Sequence, residues 1–493
     1  MKKRTIVVNA NQSIRDLEPF ILKELKKKFY TIFVVTIKQD IEFYKKKYSD
    51  CYDEIIPNIY DHQAILNKTF SYDYKKKVRD FEKLLNIPIY KIFITDRTIG
   101  RGFFASGGHN QPFTKAQFYF NHEACIKLAA EFFTFWENIL SKKDVKFAMN
   151  LPPYAHIIAK KKKIFTKRLI GGKFKNTKYW ASDIFLQPEN LNFRHYKDAQ
   201  KKLKRIQIDS PYKGHLNFRS IHISNFSFFG TFKNSFKFLL QHIYGKLKGS
   251  LKSKNLFLKA AFLVFWKRRN DFLKIKNLSS INIDGAKKEN FVYFPLLTEP
   301  EIALHGIAND FFFQLSAINI ISRDLPSNYR LIVKEHLLAV GRRPDQFYEQ
   351  IKSLNNVLIA DPLDFGLDYI KHAKIVACIT GTAAWEAAVM GIPVITFSKN
   401  NIINKINHVY LASNFSETDQ LILKIIKKNY PNKKSINDGA LLYETYFKNS
   451  IDMGNINEFI SWQKSNINNS KKDIIKSIVR NILKSFFRKT IRY

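Results

Sequence analysis

The sequence predicts an α/β protein built from two Rossmann-like, doubly wound domains facing a cleft. Three observations carry this expectation. At 493 residues the chain is longer than one hydrophobic core usually supports. Each half alternates short apolar runs with longer helical stretches, the pattern of parallel strands joined by crossovers. The segment Val376–Phe397 then reads as a buried strand, a tight Gly-Thr turn, a helix, a Gly-Ile-Pro break and a second buried strand. The expected boundaries are an N-terminal domain over 1–190, a basic and partly helical connecting segment over 191–290, a C-terminal domain over 291–455, and a basic amphipathic helix over 456–493.

In chain order, Thr5–Val8 reads as a strand, Ser13–Lys28 as a helix and Thr31–Thr36 as a second strand. The apolar run before Asn9 is too short for a signal peptide, so the chain start is expected to be a β-strand. Lys91–Thr95 is expected as a strand, Lys115–Leu140 as a long helix and Val145–Met149 as a strand. The glycine-bearing loop Thr95–Asn110 follows directly on a strand end, where ligands gather in open α/β sheets. Its glycine spacing is not a dinucleotide fingerprint.

Lys233–Lys276 is basic and helical in pattern. It suits either an interdomain segment or a surface-binding insertion. The alternation restarts with Phe291–Phe294 (strand), Ile307–Ile321 (helix), Tyr329–Val333 (strand), Pro344–Leu354 (helix), Val357–Ala360 (strand) and Leu367–His372 (helix). In Lys471–Tyr493, Ile474, Ile475, Ile478, Val479, Ile482, Leu483, Phe486 and Phe487 share one helical face, and Lys476, Arg480, Lys484 and Arg488 line another. Such a helix lies in an anionic membrane interface or docks on the body of the protein.

The Val376–Phe397 segment carries the strongest chemical signal. Ile375–Ile379 suits a parallel strand covered on both faces. Gly381 gives the turn backbone freedom, and Thr380 or Thr382 can cap the following helix. Gly391 and Pro393 end that helix. Free N–H groups at such a helix start attract an anion, typically a phosphate, and Glu386 one turn in can reach ligand hydroxyls. A βαβ crossover without any ligand produces the same pattern.

Further candidates sit at other strand ends. Lys334-Glu-His336 places a cation, a carboxylate and an imidazole after the strand ending at Val333; Lys334 can pair with phosphate and His336 can donate to it. An exposed charged turn is the competing account. Gly341-Arg-Arg-Pro344 adds two cations, equally explained by a solvated loop. In Glu299-Pro300-Glu301, Glu301 and its neighbour can accept from ligand hydroxyls or complement a helix start. Asp96 is the candidate general base and Arg97 the candidate anchor for an anionic group, against a structural Asp–Arg pair. His109 and His122 are weaker alternatives.

The net charge of +40 points to an anionic partner or surface, with drift towards lysine-rich composition as the other explanation. Aromatic residues are scattered rather than grouped as a stacking platform, which weighs against nucleic acid. Cys51, Cys125 and Cys378 are odd in number and widely spaced, so no disulfide framework or zinc site is expected. No HExxH, Walker loop or Gly-x-Ser-x-Gly elbow occurs, and no metal is expected. The longest apolar stretch, Leu256–Trp266, is too short to span a membrane and contains Lys259. A cytoplasmic location, with peripheral contact on the inner membrane face, is the expectation.

Taken in order, Phe291–Glu301, Val333-Lys-Glu-His336, Gly341-Arg-Arg-Pro344, Asn356–Pro362 and Ile379–Ala388 resemble the bacterial capsular polysaccharide biosynthesis family that includes the β-Kdo transferases. The resemblance covers roughly 291–397, with a looser echo over Asp96–Gly102. It implies a GT-B fold and a glycosyltransferase that moves a sugar from a nucleotide-sugar donor to a polysaccharide or glycolipid acceptor. Donor contacts are implied for Glu301, Lys334, His336, Thr380, Gly381, Thr382 and Glu386. No cofactor is implied beyond a donor that is CMP-linked in that family. Leu337 stands where the family has proline after the histidine, which leaves CMP, UDP and GDP open. A hydrolysing nucleotide-sugar epimerase shares the architecture, and a non-catalytic assembly or export protein is the remaining alternative.

Overall fold

In a computed structural model, residues 3–15, 17–35, 38–58, 62–96, 99, 121–142, 144–189, 191, 206–208, 220, 223–249, 258–299, 301–337, 339–344, 346–454 and 469–490 are described. The chain forms two compact units. Unit 1 comprises Met1–Phe93, Asn121–Glu189 and Asn449–Tyr493; unit 2 comprises Ile94–Phe120 and Asn190–Lys448.

Unit 1 is organised on β1 (Thr5–Asn9), β2 (Tyr30–Val35), β3 (Glu54–Pro57), β4 (Val145–Met149), β5 (Phe165–Gly171) and β6 (Thr177–Ala181), with a late strand β13 (Ser450–Asp452) numbered by chain order. The sheet order is β13-β6-β5-β4-β1-β2-β3. β5, β4, β1, β2 and β3 are mutually parallel, whereas β6 pairs antiparallel with both β5 and β13. Ile6, Val7 and Val8 are buried on both faces of the sheet, as a covered parallel strand requires.

The last helix, Asn469–Thr490, turns Ile475, Ile478 and Ile482 into the same core as Ile6, Phe33 and Phe147. Of the two roles open to this helix from sequence, docking on the protein body is the one its inner face adopts. The side chains of Phe486, Phe487 and Arg488 lie outside the described ones.

Unit 2 holds β7 (Phe291–Pro295), β8 (Arg330–Lys334), β9 (Val357–Ile359), β10 (Ile375–Cys378), β11 (Val394–Thr396) and β12 (Val409–Leu411). Its sheet is parallel throughout, in the order β12-β11-β10-β7-β8-β9. Outward from β7, β8 and β9 follow on one side and β10, β11 and β12 on the other, which is the doubly wound order. Val292, Phe294, Leu331, Val333, Ile375, Ala377 and Ile395 share one face of this sheet and pack into one core. Two long helices, Phe228–Leu247 and Leu258–Leu278, belong to this unit; Phe226 and Phe272 stack at 4.4 Å inside its core.

The doubly wound α/β class therefore holds in both units, and several element boundaries shift. The strand expected over Lys91–Thr95 is instead a short helix, Ile89–Ile92. Pro88 opens it at φ −67°, and the Ile89 amide donates to Glu82 Oε1 at 2.6 Å, which caps a turn rather than extending a strand. The helix expected over Ser13–Lys28 is a 3-10 turn at Gln12–Ile14 followed by a helix over Glu18–Lys26. Pro19 sits in its first turn, and Glu18 Oε1 accepts from the Asn11 amide at 2.7 Å.

Downstream of β7 the helix begins at Gln314 rather than Ile307. The Gln314 side chain fixes that start by bonding the Leu297 backbone twice, accepting from its N–H at 2.6 Å and donating to its carbonyl at 3.0 Å. No helix among the described residues is long and apolar enough to cross a membrane.

Candidate functional site

In unit 2 the winding direction reverses between β7 and β10, and it is beyond the carboxyl ends of strands at such a switch point that open α/β sheets receive ligands. The sequence places its most informative segments there. β7 ends at Pro295 and runs into Leu296–Glu301; β10 ends at Cys378 and runs into Ile379-Thr380-Gly381.

Gly381 has φ +106° and ψ 173°, a conformation open essentially to glycine alone. A Cβ at this position would stand 2.7 Å from Leu297 Cδ2, so the β7 and β10 loops touch here. The helix Thr382–Val389 starts directly after it, and Gly381 supplies no side-chain cap to its first amides. Thr380 is buried at 1% exposure, which leaves exposed Thr382 as the threonine on the open side of the turn. Expectation and structure coincide on the helix start to within one residue.

Glu386 lies one turn into that helix, on the same side as Thr382. Half-buried, it makes no hydrogen bond or salt bridge among the described residues, and desolvation pushes its carboxyl up to about 7 from an ordinary 4.5. Its electrostatic neighbour is Tyr293 on β7, whose own hydroxyl is held protonated, first by burial and then by the Glu386 charge. The Tyr293 ring stacks on Tyr369 at 5.5 Å, and Tyr369 donates to Asp364 Oδ2 at 2.7 Å. A carboxyl that exchanges its proton near neutrality thus sits beside a helix start that favours anions.

The loop after β8 contains a buried ion pair that the sequence did not reveal. Glu335, 3% exposed, accepts from Arg343 Nε and Nη2, both at 2.8 Å. It also accepts from the Tyr348 hydroxyl at 2.7 Å and from the His336 amide at 2.6 Å. Burial pushes the Glu335 carboxyl up, but the Arg343 charge and these bonds outweigh it, and it ends below the usual carboxylate range. Arg343 Nη2 also donates to the Leu297 carbonyl at 2.8 Å, and Arg343 lies 3.8 Å from Glu299. Glu299 in turn accepts from Gln314 Nε2. One guanidinium therefore ties the β8 loop to the β7 loop, and through Leu297 to the Gly381 turn.

The remaining expected residues fall as follows. Lys334 is 6% exposed, and its ammonium faces the carbonyls of Pro362 at 3.2 Å and Glu335 at 3.4 Å. The exposed charged turn considered for this segment is therefore a mostly buried one. His336 is exposed. Glu301 is exposed, and its amide donates to His305 Nδ1 at 3.2 Å.

Asp96 accepts from the Ile99 amide at 2.8 Å, which closes a tight turn. Arg97 and His109 lie outside the described residues, and exposed His122 shares a 2.6 Å hydrogen bond with Tyr90. Arg343, open from sequence to a ligand cation or to a solvated loop, is 3% exposed and committed to Glu335, which excludes the solvated loop. Cys51, Cys125 and Cys378 are buried and form no disulfide with one another, and no cluster of metal-binding side chains occurs among the described residues.

No family model matches the chain, and no curated protein matches it. Solved structures of similar architecture include KpsC of Thermosulfurimonas dismutans, a beta Kdo 2,7 transferase, at 12% identity over 62% of this chain and 80% of that one, with a TM-score of 0.29. The UDP-GlcNAc 2-epimerase of Neisseria meningitidis bound to UDP-GlcNAc matches at 12% identity over 91% of this chain and 100% of that one, with a TM-score of 0.27. The N-terminal domain of Candida albicans trehalose-6-phosphate phosphatase matches at 12% identity over 91% and 94%, with a TM-score of 0.32. At such identities and scores, function has to be argued from this chain's own residues.

Proposed function

We propose that the protein is a GT-B-type glycosyltransferase that moves a sugar from a nucleotide-sugar donor to a surface-polysaccharide acceptor of capsule type, growing or lipid-linked. The observation that carries this reading is the topological switch point between β7 and β10: there the glycine-only turn at Gly381 opens a helix without a side-chain cap from that residue, and Glu386, without a hydrogen bond or salt bridge among the described residues, lies one turn in. The amides after Gly381 take the donor phosphate, with the exposed Thr382 hydroxyl beside them. Glu386 accepts from ribose or sugar hydroxyls, or donates to a phosphate oxygen while protonated. Glu301, Lys334 and His336 complete the donor shell at the ends of β7 and β8. Asp96 serves as the base that activates the acceptor hydroxyl, and Arg97 anchors an anionic acceptor or a carboxylated sugar.

A second reading, a hydrolysing nucleotide-sugar epimerase, is favoured by the near-neutral Glu386 carboxyl, since such an enzyme needs proton exchange at the sugar. Release of free or epimerised sugar without any acceptor would select it.

The direct test is thermal melting with CMP-, UDP- and GDP-sugars in turn. A selective donor at about one hundred times its Kd stabilises the folded state by roughly 2.7 kcal/mol. Thr382→Trp projects a large ring from an exposed position over the helix start, so it should leave the unliganded Tm in place and abolish the shift. If no nucleotide sugar raises Tm, or the shift survives Thr382→Trp, the donor site is elsewhere.

A further inference from the structure

The helix Phe228–Leu247 is inside out. Its buried positions are Thr231, Ser235 and His242, whereas Phe229, Phe232, Phe236, Leu240, Ile243 and Leu247 are exposed, Phe229 and Leu247 by more than 80%. These six follow one another at intervals of three, four, four, three and four residues, so they form a single stripe along one side of the helix. The opposite side is occupied by the second helix of the pair, Leu258–Leu278: Phe238 packs on Phe265 at 5.6 Å, and Phe228 on Trp266 at 5.4 Å. A helix of a water-exposed protein ordinarily buries its apolar side. Here that side is turned outward over the full length of the helix, about 30 Å at 1.5 Å per residue.

Charge identifies what the stripe meets. From Phe228 to Leu278 the sequence carries twelve lysines and arginines against one acid, Asp271, which pairs with Lys267 at 2.8 Å. On the helical projection Lys233 and Lys237 border the stripe along one edge and Lys246 along the other. We infer that the helix Phe228–Leu247 lies in the interface of an anionic lipid membrane, with its aromatic and aliphatic stripe among the acyl chains and the bordering lysines at the headgroups.

A convex helix face offers no groove for a peptide, and a second copy of the chain would bring another +40 charge against the same surface. A second basic amphipathic helix, Asn469–Thr490, has Ile475, Ile478 and Ile482 committed to the core of unit 1. This inference goes beyond the proposed donor site: it supplies the location at which a lipid-linked acceptor would be met.

The test uses the full chain without nucleotide, so its outcome is separate from that of donor binding. Sedimentation is measured with vesicles of phosphatidylcholine alone and with about one-third phosphatidylglycerol added. The wild type should bind the anionic vesicles at least roughly tenfold more tightly than the neutral ones, and added salt should weaken that binding. Phe232→Asp with Phe236→Asp places carboxylates at two half-exposed positions and should reduce binding by roughly tenfold or more, with circular dichroism unchanged.

Equal binding by the double variant and the wild type would overturn the inference. So would equal affinity for neutral and anionic vesicles. A wild-type dimer in sedimentation equilibrium that the double variant dissociates, with no vesicle binding by either, would overturn it in favour of an interface between copies.

Discussion

Replacing Arg343 by methionine isolates the ion pair that braces the β7 and β8 loops of unit 2. The substitution keeps an unbranched side chain in place while removing two hydrogen bonds to Glu335 and one to the Leu297 carbonyl, all at 2.8 Å. Breaking one partner of a buried pair costs about 3–5 kcal/mol, because the remaining charge is left in a poorly polarisable interior. Glu335 can escape that cost only by taking up a proton. In the wild type its carboxyl titrates below the usual range, so its contribution is present above its ordinary pKa of 4.5 and is lost as pH falls through the lower folded value.

In Arg343→Met the sign reverses. Burial then dominates, the folded pKa rises above 4.5, and the variant loses stability as pH climbs through the raised value. The difference between wild type and variant should thus be larger at pH 8 than at pH 5. Hydrogen exchange of peptides covering β8 and residues 335–343 reports this locally, without assuming that two units unfold together. The expected acceleration at pH 8 corresponds to about 3 kcal/mol or more. Adding Glu335→Gln should recover part of it, since no charge is then stranded. Protection that changes by less than about 1 kcal/mol at both pH values would show that the pair is not the brace described.

Other outcomes follow from the same switch point. Gly381→Ala should destabilise unit 2 by about 2–4 kcal/mol, from a forbidden backbone conformation together with the clash on Leu297. Adding Leu297→Ala should relieve only the clash, and full rescue in urea unfolding would contradict the conformational part. For Glu386, folded protein holds its proton up to about pH 7 where the unfolded chain releases it near 4.5, so the stability cost grows across that window and is complete above it. Glu386→Gln should therefore raise Tm at pH 8, by the equivalent of about 2 kcal/mol once partial exposure is allowed for, and leave it nearly unchanged at pH 4.5. A gain of equal size at both pH values would mean that Glu386 is not the titrating group.

The sequence by itself determined the class of each unit and the turn at the switch point. Strands such as Thr5–Asn9 and Ile375–Cys378 are short runs buried on both faces, and burial of that kind is written directly into composition. Gly381 was legible for a related reason: a backbone angle that only glycine adopts leaves its mark in a single residue.

Tertiary structure alone decided which polar residues meet. Glu335 and Arg343 are eight residues apart with no helix to align them, so only folding of the β8 loop onto Leu297 makes one the counter-ion of the other. The same limit applies to the two basic helices. Both Phe228–Leu247 and Asn469–Thr490 carry apolar and cationic positions, yet one turns its apolar side outward and the other inward. Periodicity defines a face, but the direction it points is set by what the rest of the chain packs against it.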